Sequence, residues 1–219
     1  MRLYLSSFDL GDRPEELVAL TGLARRAAII VNALDHRPKE RAIWLKEQTV
    51  KVVGLGFRVT ELDLRSYFKT PDGLSKFLAD KDVVWINGGN AFILRRAMRQ
   101  SGFDVLIRKA LAQDQIVYAG FSAAAVIAFN SLKGLDIIDD PMEIPSGYEA
   151  DIVWEGLDLI PFALAVHFES DHLESKSVGR EIAFYEANGI PYQTLRDGEA
   201  LIIHDDQVKV VGRDGHSGS

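Results

Sequence analysis

Short unbroken apolar runs alternate along this chain with longer stretches in which apolar residues recur every three or four positions. The runs at 2–6, 27–31, 82–86 and 116–119 have the character of strands buried on both faces, as in a parallel sheet. Residues 57–64 alternate apolar and polar, the period of a strand with one covered face. Between them the spacing predicts helices. Pro14, Glu15 and Glu16 open one that Leu17, Leu20 and Leu23 carry, with Arg25 and Arg26 at its basic end. Ile43, Trp44, Val50 and Val53 mark another over 41–54, broken by Gly54 and Gly56. A short helix over 74–79 follows the Asp72-Gly73 turn, and Phe92, Leu94, Ala97 and Met98 lead into a further helical stretch over 103–111. Strand, loop and helix repeated over the first ~130 residues predict an α/β fold with a doubly wound, mostly parallel sheet flanked by helices.

After Asn130 the pattern changes. Residues 131–155 are rich in Asp, Glu, Pro and Gly with little periodicity, and a connection of that length is usually functional. An apolar run at 162–168 ends on His167. Residues 175–188 read as a helix closed by Gly189, and 192–195, 200–204 and 207–211 as closing strands, with turns at Asp197-Gly198 and Asp205-Asp206. The chain of 219 residues is therefore expected to form one α/β domain over 1–212, with a frayed Gly/Ser-rich tail at 213–219.

Composition narrows the chemistry. A formal net charge of -7 disfavours a nucleic-acid surface, which needs clustered Lys and Arg. With no cysteine, disulfides, thiolate nucleophiles and Cys-based zinc sites are excluded. No segment has the length of a membrane span, and the apolar run at the N-terminus is too short for a signal peptide, so a cytoplasmic location is expected.

The segment Val117-Tyr118-Ala119-Gly120-Phe121-Ser122-Ala123-Ala124-Ala125-Val126 runs from strand through a tight turn into a helix, the layout of a nucleophile elbow. A Ser at such a corner projects its hydroxyl clear of the sheet. The N–H of Ala123, at a helix start, has no internal partner and can stabilise an oxyanion. The same stretch is also compatible with an ordinary strand-to-helix connection with Ser as N-cap. A nucleophilic Ser needs a base and a group to orient it. Of the five His, His167 ends an apolar strand, where sites assemble in open α/β sheets, with His172 as reserve. A carboxylate between Ser122 and His167 would give the order Ser, acid, His; Asp136, Asp139, Asp140 and Glu143 are all candidates. Asn87-Gly88-Gly89-Asn90 closes a strand and opens a helix, and its glycines permit a close backbone approach that could supply a second oxyanion N–H or hold a phosphate. His167 and His172 lack the helix-face spacing of a metal pair, so neither metal nor cofactor is expected.

Taken together, Gly88-Gly89-Asn90-Ala91-Phe92, Tyr118 to Ala125 and Val166-His167-Phe168 resemble the dipeptidase E (α-aspartyl dipeptidase) family of serine peptidases, which is related to cyanophycinase. The resemblance implies a fold like the class I glutamine amidotransferases, with Ser122 as nucleophile, His167 as base and oxyanion N–H groups from Gly89 and Ala123. Gly88 and Asn90 then border the substrate. The family acid lies in the loop after the elbow helix, where Asp140-Pro141-Met142 is the nearest match and Asp139 its neighbour. Ala124 and Val166 stand where the family usually has Gly and Pro. The expectation is a serine peptidase of short peptides, with N-terminal Asp read by a cation for which Arg180 is the candidate; the resemblance leaves room for a homodimer. A non-peptide amide or ester hydrolase on the same fold, and a binding domain impaired in catalysis, are the alternatives.

Overall fold

The computed structural model describes residues 1–68, 70 and 72–213. Its strands are β1 (Arg2–Ser6), β2 (Arg26–Ile30), β3 (Arg58–Glu61), β4 (Val83–Ile86), β5 (Val117–Phe121), β6 (Ala163–Ala165), β7 (Tyr192–Thr194), β8 (Ala200–His204) and β9 (Gln207–Val211). Its α-helices are α1 (Glu15–Thr21), α2 (Pro38–Gly54), α3 (Leu74–Ala79), α4 (Ala91–Ser101), α5 (Phe103–Ala112), α6 (Ala123–Val126) and α7 (Ser175–Ala187). Seven strands form the main sheet in the order β3-β2-β4-β5-β1-β8-β9. The first five are mutually parallel; β8 runs antiparallel to β1, and β9 antiparallel to β8.

The apolar runs occupy the middle of this sheet because they can be covered on both faces. Every residue of β4 and β5 is buried. On one face Leu3, Leu5, Ile86 and Tyr118 meet the buried side of α4 and α5; on the other Tyr4, Ile29, Trp85 and Phe121 pack with Leu17, Leu20 and Val52. The alternating segment forms the short edge strand β3, largely exposed.

Two features depart from the expected pattern. The run that ends on His167 does not enter the main sheet: β6 pairs in parallel with β7 in a separate two-stranded sheet, with Ala165 opposite Thr194. The long connection after α6 is ordered by buried arginines of α4. Arg96, 1% exposed, donates to the carbonyls of Pro141, Glu143 and Asp151, and Arg95 donates to the Glu155 carbonyl and to Asp104. A segment without periodicity thereby has its backbone groups satisfied by side chains instead of a ladder. All of the expected tail except Arg213 lies outside the described residues.

Candidate active site

The site forms where β1, β4 and β5 end. After β5 the backbone turns through Ser122 with φ 51° and ψ -113°. A non-glycine residue there stores on the order of 1–3 kcal/mol of strain, which surrounding structure must hold in place. The Ser122 N–H donates to the carbonyls of Ser6 and Ser7 at 3.2 Å each, tying the corner to the end of β1. Glycines make room for it. A Cβ on Gly120 would lie 2.4 Å from the Ile86 carbonyl oxygen and 2.6 Å from the Ala124 Cβ, so a bare residue 120 is what accommodates the Ala124 methyl. A Cβ on Gly88 would stand 2.9 Å from the Ser122 Cβ.

Ser122 and His167 come together: the His167 Nε2 is 3.2 Å from the Ser122 Oγ. His167 also has positive φ, 58°, and is 1% exposed. Its N–H donates to the Ser7 Oγ at 2.8 Å. On the far side of the ring, Nδ1 is 2.7 Å from the Oδ1 of Asp197. Ser7, fully buried, donates its hydroxyl to the same Asp197 oxygen at 2.8 Å. Burial opposes ionisation of Asp197, but the bonds from His167 and Ser7 outweigh it, and its carboxyl titrates below the ordinary value.

Register explains the meeting. Beyond β6 and β7 the pairing continues, with Leu195 donating to the Ala165 carbonyl and Phe168 to the Leu195 carbonyl. This draws the residues just after β6 alongside those just after β7. Asp197 lies in the link from β7 to β8, and β8 is the neighbour of β1.

The acidic loop does not supply the partner of His167. Asp139, an expected third group, accepts from the Ala91 N–H at 2.7 Å at the start of α4; burial pushes it up to about 7, against that bond. Asp140 is exposed and accepts from the Met142 N–H, while its carbonyl accepts from the Asn90 Nδ2. Asp136 accepts from the Gly134 N–H, and Glu143 presents its carbonyl to Arg96. The order along the chain is thus Ser, His, acid. Asp197 carried one signal in the sequence, Asp-Gly, which reads as a turn; Ser7 carried none.

Asn90 caps α4, its side chain accepting from the N–H groups of Phe92 and Ile93. Gly88 and Gly89 reach the cavity that opens beside Ser122. Gly89 has φ 131°, and a Cβ there would meet the Ala33 carbonyl oxygen at 2.8 Å. Neither the Gly89 nor the Ala123 N–H has an acceptor among the described residues. Arg180 is not brought to the site: it is exposed, with its guanidinium on the Ser177 hydroxyl.

His172 stacks on His167, ring centroids 3.8 Å apart and planes 11° from parallel. Burial, and then the neighbouring His167 charge, hold its pKa below the ordinary value. Glu174 lies 3.7 Å from the His167 Nε2. His167, His172 and Glu174 place ligand atoms within 4.8 Å of one another, a group able to hold a metal ion despite the unfavourable sequence spacing.

Residues 39–211 match the model of peptidase family S51. The chain belongs to that family. The uncharacterized peptidase Lin0382 of Listeria innocua is 25% identical over 154 residues, covering 70% of this chain and 69% of the relative. Peptidase E of Streptomyces coelicolor is 29% identical over 156 residues, 69% of this chain and 60% of that protein. The probable alpha-aspartyl dipeptidase of Drosophila melanogaster is 26% identical over 140 residues, 62% of this chain and 55% of that protein. A crystal structure of a protein assigned as peptidase E, from Listeria monocytogenes EGD-e, superposes with a TM-score of 0.77 at 20% identity, covering 97% of this chain and 98% of that one. A peptidase from an acI-B1 Actinobacterium gives 0.70 at 15% identity, covering 97% and 87%. The fold is therefore shared with these two structures over 97% of this chain. Among the described residues no helix is long and apolar enough to cross a membrane.

Proposed function

We propose that this S51 protein is a serine peptidase that hydrolyses short peptides through Ser122, His167 and Asp197. The observation that carries the reading is the continuous contact from the Ser122 Oγ to the His167 Nε2, 3.2 Å, and from the His167 Nδ1 to Asp197, 2.7 Å. An ionised Asp197 accepts a hydrogen bond from the His167 Nδ1–H, which leaves Nε2 with a lone pair facing the Ser122 hydroxyl. As the Ser122 Oγ attacks the scissile carbonyl carbon, Nε2 takes its proton. The carbonyl oxygen becomes an oxyanion stabilised by the Gly89 and Ala123 N–H groups. Collapse breaks the C–N bond, with His167 returning the proton to the leaving amine. Water then attacks the acyl-enzyme with His167 again as base, releasing the acid and regenerating the serine.

The names of the relatives include an alpha-aspartyl dipeptidase. Family membership supports peptide substrates of that size class; Arg180, the cation expected to read an N-terminal Asp, is not among the residues lining the cavity beside Ser122. The test is covalent. A fluorophosphonate probe should leave one adduct per chain, on Ser122, with peptide hydrolysis lost in step. Labelling at another residue, or full peptidase activity in labelled protein, would refute the mechanism.

A further inference from the structure

The serine-peptidase reading leaves the substrate undefined, and the cavity beside Ser122 narrows it. Its volume is about 130 Å³. Apolar cavities of about 150 Å³ accept a benzene-sized ring, so there is room for one side chain and no more. Phe8, Leu34, Trp44 and Phe121 form its apolar walls. The aromatic ones brace each other: Phe8 stands edge-on to Trp44 at 6.2 Å and to Phe121 at 5.9 Å, and Trp44 lies 5.9 Å from Phe121.

The charge at this cavity is negative. Of the residues lining it, Glu174 is the carboxylate, and neither Lys nor Arg is among them. Lys51, 5.9 Å from the ring of the lining residue Trp44, pairs with Asp9. An Asp side chain entering here would exchange water for aromatic walls and face a second carboxylate, with no Lys or Arg in the lining to pair with it.

Geometry gives Glu174 its task. In the N-terminal residue of a peptide the α-nitrogen is two bonds from the carbonyl carbon, about 2.5 Å. With that carbon on the Ser122 Oγ, the ammonium falls within a residue's reach of His167, where the Glu174 Oε2 already lies 3.7 Å from Nε2. An ammonium there would find a charge-assisted acceptor. We infer, on the serine-peptidase reading above, that the cavity receives an uncharged apolar or aromatic side chain of the substrate's N-terminal residue and that Glu174 receives that residue's α-ammonium.

The experiment measures kcat/KM for Phe-Leu, Leu-Leu, Asp-Leu and N-acetyl-Phe-Leu with wild type, Ser122→Ala and Glu174→Gln. Wild type should favour Phe-Leu and Leu-Leu over Asp-Leu by about tenfold or more. Acetylation should cost about tenfold or more, mainly in KM, and in Glu174→Gln the ratio of free to acetylated substrate should fall within about threefold. That ratio, taken within one variant, cancels any effect of the substitution on the nearby His167. Preference for Asp-Leu in wild type would overturn the pocket assignment and leave the peptidase reading standing. Equal cleavage of free and acetylated peptides, or an unchanged ratio in Glu174→Gln, would overturn the role of Glu174. Cleavage of none of the four, or undiminished cleavage by Ser122→Ala, would refute the peptidase reading, and the inference with it.

Discussion

Single residues at this site are held in conformations that cost energy, and the holding is done by neighbours remote in the chain. Ser122 and His167 both have positive φ, and Ser7 touches both: its carbonyl accepts from the Ser122 N–H and its hydroxyl accepts from the His167 N–H. The sequence made Ser122 and His167 legible because an elbow and a strand-end His are local patterns. It did not make Asp197 legible, because an acidic stretch between Ser122 and His167 offered a familiar chain order and Asp197-Gly198 looked like a turn and nothing else. The residue-scale prediction separates the two candidates. Asp197→Asn should lower kcat on the order of 10³-fold, because an amide can hold the wrong imidazole tautomer. Asp139→Asn keeps an oxygen for the Ala91 N–H and should lower kcat far less. Steady-state kinetics of both variants on one dipeptide checks this; a larger loss in Asp139→Asn would return the third position to the acidic loop.

The main-sheet strands and helices α1 to α5 were readable from periodicity, since burial on one stripe or on both faces leaves a direct trace in the chain. The long connection was not, because the arginines that order it belong to α4 and bind its carbonyls, which carry no side-chain code. Where this connection and α7 approach, two acids, Glu181 buried and Asp139 half-buried, meet the cost of desolvation. Asp139 is pushed up to about 7 and Glu181, on α7 and bonded to the Tyr185 hydroxyl, to about 8. Each folded value is raised above the unfolded one, so the folded state holds the protons more tightly, and stability falls as pH rises through these values. Replacing both with Asn and Gln keeps the acceptor oxygens and removes the ionisation. Urea unfolding of Asp139→Asn/Glu181→Gln should show less loss of stability between about pH 5 and pH 9 than wild type, by on the order of 1–3 kcal/mol. Parallel stability curves would show that folding raises the pKa of neither acid.

Over the whole molecule, the site is an assembly of strand ends. β1 brings Ser7, β4 the Gly88-Gly89 turn, β5 Ser122, and the small β6-β7 sheet carries His167 to Asp197 before the chain returns to the main sheet at β8. The doubly wound architecture was legible from repeated strand and helix. The separate small sheet was not, because two three-residue strands say nothing of which sheet they join. If Ser122, His167 and Asp197 act as one unit, their contributions to catalysis cannot add. The most direct measurement is a double-mutant cycle in kcat on a single dipeptide, with folding of each variant verified. Ser122→Ala alone should cost on the order of 10³-fold or more, and Ser122→Ala/Asp197→Asn should be no worse than Ser122→Ala within about threefold. Losses that multiply, with the double variant slower by the product of the two single effects, would contradict it.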